Sequence, residues 1–277
     1  MVDGKTILIA HLGYPTATFK APMIFNPYFE KAGINAAVMT MGVKAEDYEA
    51  LFRPLFRLTN IRGALITMPH KVTTAALLDE VSTAVKVAGS CNAILRRADG
   101  TLLGDMFDGE GFVRAIKRKG FKPAGKRVLV VGSGGVGSAI AASFAETGVA
   151  CIGLFDVNCG SMTALSQRLR THYPKIETKT GSNDPAGYDV VVNATPLGMI
   201  ARDPMPMDVS RIAATTLVGD VVMKQEMTAF LSAAKAKGCP VQVGIEMLFE
   251  QIPAYLEFFG FPTTTPDELR ALAKITY

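Results

Sequence analysis

Lys71 closes the run Gly63-Ala64-Leu65-Ile66-Thr67-Met68-Pro69-His70-Lys71, in which an apolar stretch stops at a proline and a primary amine follows. Taken alone, a lysine directly behind a proline-terminated apolar run is more often a solvated surface residue than a functional amine. Burial lowers a lysine's pKa and a neighbouring carboxylate raises it. A second group with chemical meaning is Gly132-Ser133-Gly134-Gly135-Val136-Gly137, set between the apolar run Arg127–Val131 and a small-residue helix pattern. In this G-x-G-x-x-G context the first glycine makes the tight turn and the second lets the backbone approach a pyrophosphate. The third lets helix and strand pack closely. Gly135 and Val136 complete the loop. Asp156 ends the next apolar run, nineteen residues after Gly137. A carboxylate there accepts both hydroxyls of an adenosine ribose and repels a 2′-phosphate. No arginine stands between Val157 and Ser161, and Arg168 lies well along the following helix. NAD is therefore expected over NADP.

These groups need elements to hold them. Strand-like runs at 5–13, 35–43 and 63–69 alternate with helix-like runs at 22–33 and 45–57. Such alternation predicts a mostly parallel, helix-covered sheet. Ala98-Asp99-Gly100 between two short apolar runs predicts a hairpin. A helix over 109–120 follows, and the pattern then restarts with strands and helices from 126 to 243 and two helical segments to the end. The fold class is α/β in two domains. Residues 1–106, completed by 244–277, form a substrate-binding and catalytic domain, and 107–243 form a Rossmann dinucleotide domain.

Composition narrows the classes. The chain has 277 residues, 49% hydrophobic, enough for real cores in both domains. The net charge of +4 comes from charges spread along the chain, without long like-charge runs. Nucleic acid and membrane surfaces are not favoured as partners. The four cysteines, without a C-x-x-C pair, and three histidines argue against a zinc site or disulfide framework. No metal is expected. The start of the chain lacks the pattern of a signal peptide. A cytoplasmic protein, monomer or homodimer, acting on a small molecule is the expectation.

Further motifs carry a resemblance to the shikimate dehydrogenase family that runs nearly end to end. Gly63–Lys71 is similar to the family's Gly-x-Asn-Val-Thr-x-Pro-x-Lys, and Ala88–Ile94 to its Gly-Ala-x-Asn-Thr. Gly104–Phe112 is similar to its Gly-x-Asn-Thr-Asp-Gly-x-Gly-Phe, and Gly244–Gln251 to its Gly-x-x-Met-Leu-x-x-Gln. Asn193–Met199, with Asn193 and Thr195, fits its cofactor-side segment. The resemblance implies that Lys71 exchanges a proton with the reacting hydroxyl and that Asp108 faces it, holding the lysine and a substrate hydroxyl. It implies that Thr67, Asn92 and Gln251 bind substrate hydroxyls. It places Gly244, Met247 and the segment 218–231 on the cofactor side.

The chain departs from that family in its first loop, Gly13-Tyr14-Pro15-Thr16-Ala17-Thr18-Phe19-Lys20-Ala21-Pro22. The family's two serines, which hold the carboxylate of shikimate, are here Phe19 and Ala21. The asparagine before Val-Thr is Leu65, and Asn-Thr before the aspartate is Met106-Phe107. A hydrogen bond to a charged group contributes roughly 1.5–3 kcal/mol, so losing two costs about 3–6 kcal/mol. Thr16, Thr18 or Lys20 could replace the serines if the loop rearranges. The reading is an NAD-dependent dehydrogenase of a small, cyclic, shikimate- or quinate-like compound, with a preference for a substrate other than shikimate. The rivals are an authentic shikimate or quinate dehydrogenase with a remodelled loop and a nucleotide-binding regulatory protein without turnover.

Overall fold

The computed structural model describes residues 2–275. The chain divides into two compact units. Unit 1 comprises Met1–Val85, Ser90–Phe107 and Gln251–Tyr277, and unit 2 comprises Lys86–Gly89 and Asp108–Glu250.

Unit 1 is built on a sheet of six strands in the order β2-β1-β3-β5-β6-β4. The strands are β1 (Ile7–Gly13), β2 (Ala36–Gly42), β3 (Ile61–Ile66), β4 (Glu80–Val81), β5 (Ala93–Arg96) and β6 (Leu102–Asp105). β1 runs parallel to β2 and β3, while β5 is antiparallel to both β3 and β6. The β5–β6 hairpin turns through Asp99 and Gly100 as the Asp-Gly pair predicts, with Gly100 at φ 87°. Helix α1 (Pro22–Lys31) has proline in its first turn and lysine in its last, both favourable there. Helix α2 (Ala45–Leu55) carries Glu46 and Asp47 in its first turn and Arg53 in its last. Phe25 and Phe29 of the first helix and Tyr48 and Phe52 of the second are almost fully buried. The short helices α3 (Lys71–Ala76) and α4 (Thr83–Ala88) were not expected, because six residues carry too little periodicity to read.

Unit 2 holds α5 (Asp108–Arg118), β7 (Arg127–Val131), α6 (Gly135–Glu146), β8 (Cys151–Phe155), α7 (Cys159–His172), β9 (Glu177–Thr180), β10 (Val190–Asn193), β11 (Leu217–Asp220), α8 (Ala229–Ala236) and β12 (Val241–Gln242). All six strands are parallel, in the order β12-β11-β10-β7-β8-β9. This is the doubly wound dinucleotide-binding order, with its switch point between β7 and β10. Both faces are covered: Val128, Val130, Val190 and Val192 pack in one core, Leu129, Val131 and Val191 in the other. That explains why these strands read as continuous apolar runs rather than alternating ones.

The chain ends in α9 (Gly244–Phe258) and α10 (Pro266–Leu272). The sequence reading put the second domain boundary before Gly244; the division falls within α9, after Glu250. The reason is Met247, whose side chain packs in the unit 2 core with Val87, Phe112 and Val128. Residues 86–89 also belong to unit 2, where Arg168 Nε donates to the Val87 carbonyl at 2.7 Å and Nη2 to that of Ala88 at 3.0 Å.

Candidate active site

In unit 1, a cis Met68–Pro69 bond follows β3, and Lys71 opens α3. The first turn of that helix is fixed by groups the sequence reading did not single out. His70 is buried, its Nε2 lies 2.8 Å from the Val43 carbonyl, and its ring stacks on Tyr48 at 3.8 Å. The Tyr48 hydroxyl lies 2.6 Å from Thr74 Oγ1, which donates to the His70 carbonyl at 2.8 Å. The Cys91 amide donates to the Lys71 carbonyl at 2.8 Å. A buried aromatic spaced to reach the motif was the available signal, and it reads in sequence as core alone.

Thr67 is half-buried. Its amide donates to the Leu12 carbonyl at 2.9 Å, and its own carbonyl accepts from the His70 amide at 3.0 Å. Gly13 lets the neighbouring loop pass. A Cβ there would collide with Thr67 Cγ2 and come within 2.7 Å of the Met68 carbonyl oxygen. Asn92 is buried, and its Oδ1 accepts from the Phe107 amide at 2.9 Å. Asn92 Nδ2, Gln251 Oε1 and His11 Nδ1 are buried and have no hydrogen-bond partner among the described residues. Buried polar atoms in native proteins are nearly always met by protein, water or ligand.

Phe19, Ala21, Leu65, Met106 and Phe107 are buried. Phe19 packs on the His11 ring at 4.2 Å, and Phe107 on Tyr255 at 4.9 Å. Thr18 ends a short 3-10 turn and is exposed, so the loop does not rotate it inward in place of a serine. Asp108 is the first residue of α5 and is buried.

In unit 2 the glycine loop has the form its residues require. Gly132 has φ 107°, and a Cβ on it would lie 2.6 Å from the Ala194 carbonyl oxygen. A Cβ on Gly137 would strike the Gly132 carbonyl, whereas one on Gly134 would meet nothing within 4 Å. The open side of Gly134, the start of α6 directly after it and the unpartnered buried Ser133 Oγ fit a pyrophosphate group. Gly135 and Val136 form the first turn of that helix. Asp156 accepts from the Ser133 amide at 2.5 Å and the Asn158 amide at 2.8 Å, which fixes it beside the loop. Arg168, spent on the Val87 and Ala88 carbonyls, is not a phosphate anchor.

The other residues expected on the cofactor side are held by bonds and packing within unit 2. Asn193 is fully buried and donates to the Leu197 carbonyl at 2.9 Å and to Asp220 Oδ1 at 3.1 Å. Thr195 donates from its hydroxyl to Asn193 Oδ1 at 2.6 Å. Gly244 lies against the backbone of Val221 and Val222, and Met247 is buried in the unit 2 core. The sequence reading passed over Asp220, where Val222 N, Asn193 Nδ2 and Thr228 Oγ1 converge on the carboxylate. Burial, the largest influence, pushes its pKa up to about 6. A carboxylate ending an apolar strand was the signal for it.

No helix among the described residues is long and apolar enough to cross a membrane, and no cluster of metal-ligating side chains occurs among them. The family model for the shikimate dehydrogenase substrate binding domain matches residues 12–94. The shikimate dehydrogenase (NADP(+)) of Rubrobacter xylanophilus is 33% identical over 277 residues, covering 98% of this chain and 97% of that one. The chain belongs to the shikimate dehydrogenase family. Among solved structures, the quinate dehydrogenase of Corynebacterium glutamicum in complex with NAD is 27% identical, with TM-score 0.86 and coverage of 96% and 98%. The 5-ketofructose reductase of Gluconobacter sp. strain CHM43, ligand-free, is 25% identical, with TM-score 0.86 and 98% of both chains covered.

Proposed function

We propose that this protein oxidises a secondary hydroxyl of a small cyclic, shikimate- or quinate-like compound with NAD, and that shikimate itself is a poor substrate. Its family makes it an oxidoreductase acting on CH–OH groups with a nicotinamide dinucleotide. The observation that carries the reading is the position of Lys71 on an anchored helix start at the end of a buried strand. Lys71 is assigned the proton exchange, and Asp108 the role of a carboxylate that accepts a substrate hydroxyl. Thr67, Asn92 and Gln251 are assigned to substrate hydroxyls; the latter two have polar atoms without a partner of their own. The bound nicotinamide supplies the hydride acceptor. The glycine loop and Ser133 hold its pyrophosphate, and Asp156 the adenosine ribose. NAD is favoured because Asp156 repels a 2′-phosphate and Arg168 is spent elsewhere. Asn193, Thr195 and Asp220 shape the cofactor-side loop rather than touch the ligand.

Steady-state kinetics with shikimate and quinate, each with NAD and NADP, test the reading. NAD should give the higher kcat/KM, and Asp156→Ala should narrow the difference. Lys71→Ala should lower kcat by roughly a hundredfold or more, the worth of a general acid–base group, and leave NAD affinity unchanged. Near-full turnover by Lys71→Ala removes the mechanism. A KM for shikimate below about 1 mM, an ordinary enzyme value, removes the altered preference.

A further inference from the structure

Beside the five apolar replacements in the first unit stands one buried polar residue with no role assigned so far. His11 lies in the middle of β1, an element otherwise made of Ile7, Leu8, Ile9, Ala10, Leu12 and Gly13. In the sheet its register partners are Thr40 on β2 and Leu65 on β3, and Leu65 is in turn paired with Ala93 on β5. Register partners in adjacent strands point to the same face. His11 is thus the lateral neighbour of Leu65, which replaces an amide, and packs on Phe19, which replaces a hydroxyl. It is 6% exposed, and its Nδ1 has no partner among the described residues. Leaving such an atom unpaired costs free energy that a valine at this strand position would not.

We propose that His11 is a substrate-recognition residue whose Nδ1 makes a hydrogen bond with an uncharged hydroxyl or carbonyl of the substrate, beside the apolar wall of Phe19 and Leu65. This rests on the dehydrogenase reading and deepens it by naming the substrate class: a neutral polyol or keto-polyol, or an ester, rather than a free carboxylate. Burial first, and then the charge of Lys71, hold the imidazole pKa down at about 3, so the ring is neutral. A neutral imidazole offers one donor and one acceptor, which matches a hydroxyl. It offers no countercharge to a carboxylate, and Phe19 and Leu65 offer none either.

Shikimate and methyl shikimate form a clean probe pair, since they share a ring and differ in the charge of one group. Binding to the full-length protein with NAD is measured by calorimetry, alongside steady-state kinetics, for the wild type, His11→Val and His11→Asn. The asparagine amide can stand where Nδ1 stands. The wild type should bind the ester at least about tenfold more tightly than the acid. His11→Val should weaken ester binding by about tenfold, the worth of one neutral hydrogen bond, mainly in KM rather than kcat. His11→Asn should recover most of the loss, and NAD affinity should not move in either variant. In the wild type, the nitrogen-15 resonance of His11 Nδ1 should shift when the ester is added, a readout independent of whether the variants fold. Preference for the acid, ester affinity unchanged in His11→Val, no ester binding, or no Nδ1 shift each overturns the proposal. His11-dependent ester binding without turnover by NAD or NADP would uphold His11 and remove the dehydrogenase reading. Turnover of the ester indifferent to His11→Val would do the reverse.

Discussion

Asp220 shows how far a single residue can depart from its ordinary behaviour when the chain needs it inside. Three donors converge on its carboxylate, and burial still outweighs them, raising the pKa from 3.8 to about 6. The native state therefore binds more protons than the unfolded state between those two values. The stability contribution of Asp220 is fully present below pH 3.8 and is lost as pH rises through 6. A rise of that size corresponds to a loss of about 3 kcal/mol at neutral pH. Asp220→Asn removes the titration and keeps an oxygen for Val222 N and Asn193 Nδ2. Urea unfolding at several pH values from 4 to 7 should show the variant gaining on the wild type by about 2–3 kcal/mol across that range. A difference that does not change with pH would assign the pH response to other groups. Residues of this kind set the limit of reading a sequence. Lys71 and Asp156 were legible because each sits at a fixed offset from an apolar run and a proline or glycine turn. His11 and Asp220 were not, because a lone polar residue in an apolar run does not reveal which atom lacks a partner.

At the scale of elements, the β7–α6 turn separates two kinds of glycine that a motif treats alike. A methyl group on Gly137 would strike the Gly132 carbonyl, so helix and strand would have to move apart. A methyl on Gly134 would enter open space. Gly137→Ala should therefore lower the melting temperature by several degrees, as expected for about 1–3 kcal/mol of overpacking, and weaken NAD binding with it. Gly134→Ala should melt near the wild type yet bind the nicotinamide dinucleotide at least about tenfold more weakly, because on the proposed placement its methyl faces the pyrophosphate. Differential scanning fluorimetry with and without NAD checks both; Gly134→Ala with unchanged NAD affinity would contradict the placement of the pyrophosphate. The long strands and helices were legible from periodicity and caps, and the Asp99-Gly100 hairpin from its turn chemistry. The four-residue β9 and the two-residue β4 were not, since so few residues show no period and pairing with a distant strand decides them. The helix at Lys71 was hidden because its anchor, the His70 and Tyr48 stack, joins residues far apart in sequence.

At the scale of the whole chain, neither unit is a continuous segment, and this carries an energetic consequence. Unit 2 takes Lys86–Gly89 from within the first third of the chain. Val87 fills its core, and Arg168 holds the carbonyls of Val87 and Ala88. Gly89 fits under the guanidinium: it has φ 66°, and a Cβ there would lie 2.9 Å from Arg168 Cζ. The guanidinium itself is partly desolvated, which lowers its pKa, so the two carbonyls are its compensation. Hydrogen bonds to charged groups contribute about 1.5–3 kcal/mol each, and part of that is returned by water when the side chain is removed. Arg168→Ala should destabilise unit 2 by about 2–3 kcal/mol. Arg168→Lys should recover little, because one ammonium cannot reproduce a planar fork aimed at two successive carbonyls. The loss should appear in NAD-dependent fluorescence and in the unfolding transition that NAD protects, since a ligand stabilises only the unit that binds it. By the same reasoning a fragment cut at the boundaries read from sequence, 107–243, lacks Val87, the Arg168 acceptors and Met247 together. It should melt well below the intact protein and fail to bind NAD, whereas Arg168→Ala in the intact chain should still bind it at low temperature. A 107–243 fragment with full NAD affinity would show that the borrowed segment and the first half of α9 are dispensable to unit 2.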